Sequence, residues 1–114
     1  MRKLNAVCYP LYHELPLLKH VVDLVARNKA NTLSVLDLRS AFYQLKISED
    51  TADKTSFITP HCGSFKFLRL PMGLSQSPYY MSVALTKLFR FQIGSFLCVY
   101  LDDVLVASES PRMH

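Results

Sequence analysis

Apolar side chains recur along this sequence in two rhythms, and the switches between them lay out a fold. In LPLLKHVVDLVARN, residues 15–28, Leu18, Val21, Val22 and Val25 fall at i, i+3, i+4 and i+7. That spacing puts one apolar stripe on an α-helix. Pro16 suits its first turn, where the missing N–H is not needed, and Asn28 suits its close. TLSVLDL, 32–38, is short, apolar and β-leaning, and predicts a buried strand with Asp37 near its end. SAFYQL makes a turn or short helix. SEDTADK is polar, with Ser48 placed to cap one helical turn. TSFIT and FKFLRL flank the breaker group PHCGS and predict a hairpin whose apolar positions are interrupted by Lys66 and Arg69. LPMGLSQSP reads as a loop, and its final Ser77-Pro78 pair supplies the N-cap and first residue of a helix, YYMSVALTKLFR, that ends near Gly94. SFLCVYL and VLVAS are two strands joined through Asp102-Asp103. Residues 6–16, with Pro10 and Pro16 among aromatic and polar groups, predict an ordered loop.

The resulting order is helix, strand, helix, hairpin, helix, hairpin, which makes the fold α+β with an antiparallel sheet covered by helices. At 114 residues the chain is one domain at most. Half of its residues are hydrophobic and 19% charged, the balance of a globular chain and not of a disordered one. The net charge of +4 points weakly to a polyanionic partner, because the basic residues are scattered. Cys8, Cys62 and Cys98 form no CxxC pair, which fits a reducing compartment. No apolar run approaches the ~20 residues that cross a bilayer, so no membrane partner is expected and the chain reads as intracellular.

Asp102 and Asp103 are the anomaly of this pattern, two like charges inside the apolar run VYLDDVLVA. At ~4 Å two carboxylates repel by roughly 4 kcal/mol at an effective dielectric of 20. Asp-Asp is also a poorer turn pair than Asn-Gly or Asp-Gly. Asp37 closes a different apolar strand. If the two strands are neighbours in one sheet, three carboxylates converge, and such a patch suits a hard divalent cation such as Mg²⁺. The plainer alternatives are a solvated turn at Asp102-Asp103 and a turn-capping role for Asp37.

Taken together, VLDLRSAFYQL, SFITPHCGSFKFLRLPMGLSQSP and VYLDDVLVAS resemble the successive palm and fingers motifs of reverse transcriptases, with the gypsy class of long-terminal-repeat retrotransposons the nearest in kind. The opening RKLN is similar to the segment that precedes those motifs. The resemblance implies a right-hand polymerase fragment, a palm sheet with covering helices and part of the fingers, forming a single partial domain over 1–114. Thumb, connection and RNase H domains are expected to be absent, and the fragment to be weak or inactive alone. It implies that Asp37, Asp102 and Asp103 hold two Mg²⁺ ions, with Mn²⁺ as a substitute and the Leu38 carbonyl as a further ligand. The metals would activate a primer 3′-hydroxyl and neutralise the triphosphate. Phe42 falls at the family's sugar gate beside Ala41, and Pro71, Met72 and Gly73 fall in the loop lining the nucleotide pocket. Tyr100 and Leu101 fall near the primer end, with Lys66 and Arg69 as candidate nucleic-acid contacts. The implied partners are an RNA or DNA template with primer, deoxynucleoside triphosphates and the remainder of a polyprotein, in the cytoplasm or a virus-like particle. Two other classes stand beside this one. One is a non-catalytic remnant that binds nucleic acid or only folds. The other is a different two-metal palm enzyme such as a nucleotide cyclase, against which Phe42 and the LPMGLSQSP loop argue.

Overall fold

The structure, a computed structural model, describes residues 1–9, 11, 18–112 and 114. Its centre is a three-stranded antiparallel sheet in the order β1 (Thr32–Asp37), β5 (Asp103–Ser108), β4 (Leu97–Tyr100). The apolar run that supplies β4 and β5 is continuous because that hairpin is covered on both faces. Leu97, Val99, Val104 and Val106 pack on one side against Ala41 of α3 (Ala41–Gln44) and against Met81 and Leu85 of α5 (Ser77–Leu88). Cys98, Leu105 and Ala107 pack on the other side against Val21, Leu24 and Val25 of α2 (Leu18–Arg27). Strand alternation thus feeds two small cores from one hairpin.

The sheet corrects the sequence reading of β1. Its neighbour β5 lies on one side only, and Leu33, Val35 and Leu36 are all more than half exposed. Apolar character promised burial, but β1 is an edge strand whose Leu33, Val35 and Leu36 belong to neither core among the described residues. The buried stripe of α2 also shifts, running through Val21, Leu24 and Val25 while Val22 faces solvent. The helix ends with Lys29, not Asn28, in the left-handed region (φ 45°). Lys29 N–H donates to the Ala26 carbonyl and Ala30 N–H to that of Val25, the paired bonds of a Schellman close. Asn28 contributes as the side chain that donates to the Leu24 carbonyl at 2.9 Å.

At the N-terminus a short helix, α1 (Arg2–Val7), stands where residues 6 and 7 were expected in a loop. Pro10 and Pro16 lie outside the described residues. Ser48 caps α4 (Glu49–Lys54) as expected, accepting from the Thr51 N–H at 3.4 Å. The hairpin is shorter than its pattern. It joins β2 (Phe57–Thr59) to β3 (Gly63–Phe65), and residues beyond Phe65 turn away to pair elsewhere. Leu70 N–H donates to the Leu45 carbonyl at 2.9 Å and Lys46 bridges to Arg69, so the apolar positions of FKFLRL serve two partners in succession. Helix α5 begins one residue early, with Gln76 as N-cap, and stops at Leu88 rather than near Gly94. Ser77 is released from capping to donate its hydroxyl to the Pro71 carbonyl at 2.8 Å, inside the core.

Candidate polymerase site at the sheet end

The register of the sheet decides where the acids go. Asp37 is the Cα partner of Asp103 across β1 and β5, and Tyr100 is the partner of Asp103 across β4 and β5. Directly opposed residues put their side chains on the same face, so these two carboxylates and the Tyr100 ring share one end of one face. Tyr100 opposite Asp103 leaves Leu101 and Asp102 as the two-residue loop of the hairpin. Asp103 is therefore the first strand residue and not, as the sequence suggested, half of the turn. Leu101 takes φ 56°, and Asp102 does not share that sign. Positive φ at the first central position only is the pattern of a type II′ turn, where Gly is the usual residue.

The backbone thus pairs two of the three acids and leaves the third in the adjoining turn. Asp37 is exposed, and Asp102 and Asp103 are half-buried. Among the described residues the only ion pair joins Lys66 to Asp53, so no Lys or Arg neutralises this patch in a chain whose net charge is +4. Among the same residues no three His, Cys, Asp or Glu side chains form a group that could hold a metal ion, so the expected convergence of three carboxylates is not met: the ladder pairs Asp37 with Asp103, and the turn carries Asp102 apart from them. What the sheet end does offer is carboxylate oxygens open to solvent, the donor chemistry that hard divalent cations prefer. The Leu38 carbonyl already accepts the Ala41 N–H at 3.2 Å, with one lone pair to spare.

The remaining expected site residues are spread along the chain. Ala41 is a core residue at 2% exposure, and Phe42 is half-buried against that same core. Pro71 is buried, Met72 is 54% exposed and Gly73 sits at φ 89°. Lys66 is held by the Asp53 carboxylate at 2.7 Å, whose hydrogen bond and then charge keep the ammonium protonated above the ordinary lysine range. Arg69 spends one guanidinium N–H on the Gln44 carbonyl at 3.0 Å. Both cations are exposed and tied to protein. Asn5, a residue the sequence did not single out, reaches the loop at 71–75 with two hydrogen bonds. It closes the RKLN segment, whose resemblance to the family was the one signal for it; no spacing pattern links it to partners 68 and 70 positions away.

The fold has counterparts among solved structures. The foamy viral protease-reverse transcriptase, solved in complex with an RNA/DNA hybrid, superposes with a TM-score of 0.79 over 99% of this chain and 15% of its own, at 24% identity. A mutant of the prototype foamy virus enzyme gives 0.76 at 23% identity over the same shares. The fold is that of a right-hand polymerase fragment, an antiparallel palm sheet with covering helices and part of the fingers. The family model described as reverse transcriptase (RNA-dependent DNA polymerase) matches residues 1–114. The retrovirus-related Pol polyprotein from transposon gypsy of Drosophila melanogaster is 35% identical over 113 residues, and that from transposon opus of the same fly 34%. The chain belongs to the reverse transcriptase family. It spans 11% of the length of each of those two polyproteins.

Proposed function

We propose that this chain is the catalytic core of an RNA-directed DNA polymerase, adding deoxynucleotides to a primer 3′-hydroxyl on an RNA or DNA template. The observation that carries the proposal is the pairing of Asp37 with Asp103 beside the Asp102 turn, with no ion pair to any of the three among the described residues. Asp37 and Asp103, with Asp102 next to them, would hold magnesium. When bound, the metal supplies activation of the hydroxyl and neutralisation of triphosphate charge. The protein's part is positional. The β1–β5 ladder fixes two carboxylates at one sheet end. Tyr100, opposite Asp103, and Leu101 in the turn would contact the primer terminus in this reading. Phe42, packed from behind by the core, offers a ring with no hydrogen-bonding group to a sugar 2′ position. A ribonucleotide hydroxyl there would be left without a partner. Pro71, Met72 and Gly73 would wall the base and template.

Alone the 114 residues are expected to be weak or inactive, working with the remainder of a Pol polyprotein in the cytoplasm or a virus-like particle. Among the described residues no helix is long and apolar enough to cross a membrane. The test is primer extension on an RNA template by the longest natural polypeptide carrying this sequence. Extension should require Mg²⁺ or Mn²⁺, and Asp103→Asn should lower it by about 10²- to 10³-fold, the several kcal/mol that metal-based charge stabilisation supplies. Full activity in Asp103→Asn would sink the assignment. Salt-sensitive nucleic-acid binding with no metal dependence and no extension would establish the non-catalytic remnant instead.

A further inference from the structure

We infer that Asn5 is a positioning residue for the nucleotide pocket, holding the loop at 71–75 from the opposite end of the chain. This rests on the reading that Pro71, Met72 and Gly73 wall that pocket. The Asn5 carboxamide makes two bonds of opposite sense. Its Nδ2 donates to the Gly73 carbonyl at 2.8 Å, and its Oδ1 accepts from the Ser75 N–H at 3.0 Å. A primary amide used this way reproduces the donor and acceptor that a neighbouring strand would offer, to a segment that has no strand beside it.

The loop needs such support. It contains no helix or strand, its centre is Gly73 at φ 89°, and Met72 is exposed. Its two flanks are tied internally, by the Ser77 hydroxyl to the Pro71 carbonyl and by the Ser77 N–H to the Leu74 carbonyl. Between those ties, Gly73 and Ser75 are bonded only to Asn5 among the described residues. A second side-chain amide repeats the crossing nearby, where Gln76 Nε2 donates to the Tyr9 carbonyl at 2.7 Å. Asn5 is itself fixed, its N–H donating to the Met1 carbonyl at the start of α1.

The helix that carries Asn5 contains no buried residue. Its removal from the contact therefore sacrifices no core, so loss of the two bonds should appear in the loop and not in the fold. That separates positioning from plain structural support. The test uses Asn5→Ala, and Asn5→Asp, which keeps the size and the acceptor but turns an anionic oxygen toward the Gly73 carbonyl. In the 114-residue chain, the Ser75 amide should exchange with solvent about tenfold faster in Asn5→Ala, and less than that in Asn5→Asp, which keeps the acceptor, while amides of β5 are unchanged. In the longest natural polypeptide, both variants should raise KM for the deoxynucleotide about tenfold, leave KM for primer–template within about twofold and shift Tm by no more than about 5 °C. Unchanged Ser75 exchange would overturn the inference, as would faster exchange with an unaltered nucleotide KM. A rise in both KM values together with a large fall in Tm would overturn it too, by making Asn5 structural. Should the wild-type polypeptide extend no primer, the polymerase reading fails. The exchange experiment still decides whether Asn5 holds the loop.

Discussion

Asp37 and Asp103 face each other across two strands, and among the described residues neither has an ion-pair partner to offset their repulsion. Like charges directly opposite on a sheet cost about 0.2–1 kcal/mol. Asp37→Asn should therefore raise Tm by about 2–4 °C in a metal chelator. Added Mg²⁺ should stabilise the wild type and leave the variant unmoved, reversing their order in a thermal-shift assay. Leu101 stores strain of a second kind. A branched side chain at φ 56° costs on the order of 1 kcal/mol, and Leu101→Asn, better suited to that region, should raise Tm by about 3 °C. A third contrast lies among the thiols, all free. Burial pushes the Cys98 thiol above its ordinary range, while Cys62 is exposed. Iodoacetamide at pH 8 should modify Cys62 within minutes and reach Cys98 only on unfolding, as peptide mass mapping would show. At this scale the acids were legible in the sequence because charge inside an apolar run contradicts burial and demands a reason. The role of Asn5 was not, because the RKLN segment marks a place in the order of motifs and says nothing of partners some 70 positions away.

Among the elements, periodicity located the helices and strands but left out what lies beside each one. TLSVLDL is as apolar as VLVAS, yet β5 is central and β1 is an edge. The difference comes from strand order, which no local pattern carries. The hairpin at 57–65 fell short of its apolar run for a similar reason, since residues 68–70 are claimed by 45–47. The turn moved by one residue because pairing of Tyr100 with Asp103 closes the tightest loop the chain allows, drawing Leu101 in. The exposed apolar edge has a measurable effect. Val35 is 65% exposed on a strand with no further strand beside it among the described residues, the kind of edge on which chains associate. Val35→Lys should delay the onset of light scattering at 37 °C without lowering Tm.

The whole molecule is drawn out. Its radius of gyration is 17.8 Å, with extents of 55 × 27 × 21 Å, where a compact chain of this length would have about 13 Å. The sheet with its helices forms one mass and the β2–β3 hairpin reaches away from it, with Ile58 82% exposed. Residue spacing could announce the motifs and their order, but not this elongation, which depends on how few contacts join the parts. Small-angle scattering on dilute protein should return a radius near the drawn-out value rather than the compact one.

The central strand has a consequence for how this sequence can change. Val104 and Val106 serve one core, Leu105 and Ala107 the other, and Asp103 opens the same run. Gaining or losing a single codon within it would swap the occupants of both layers and turn the acid to the far side of the sheet in one stroke. Substitutions can accumulate along the exposed rim, but the spacing between Tyr100 and Ser108 admits no insertion that spares either the architecture or the chemistry.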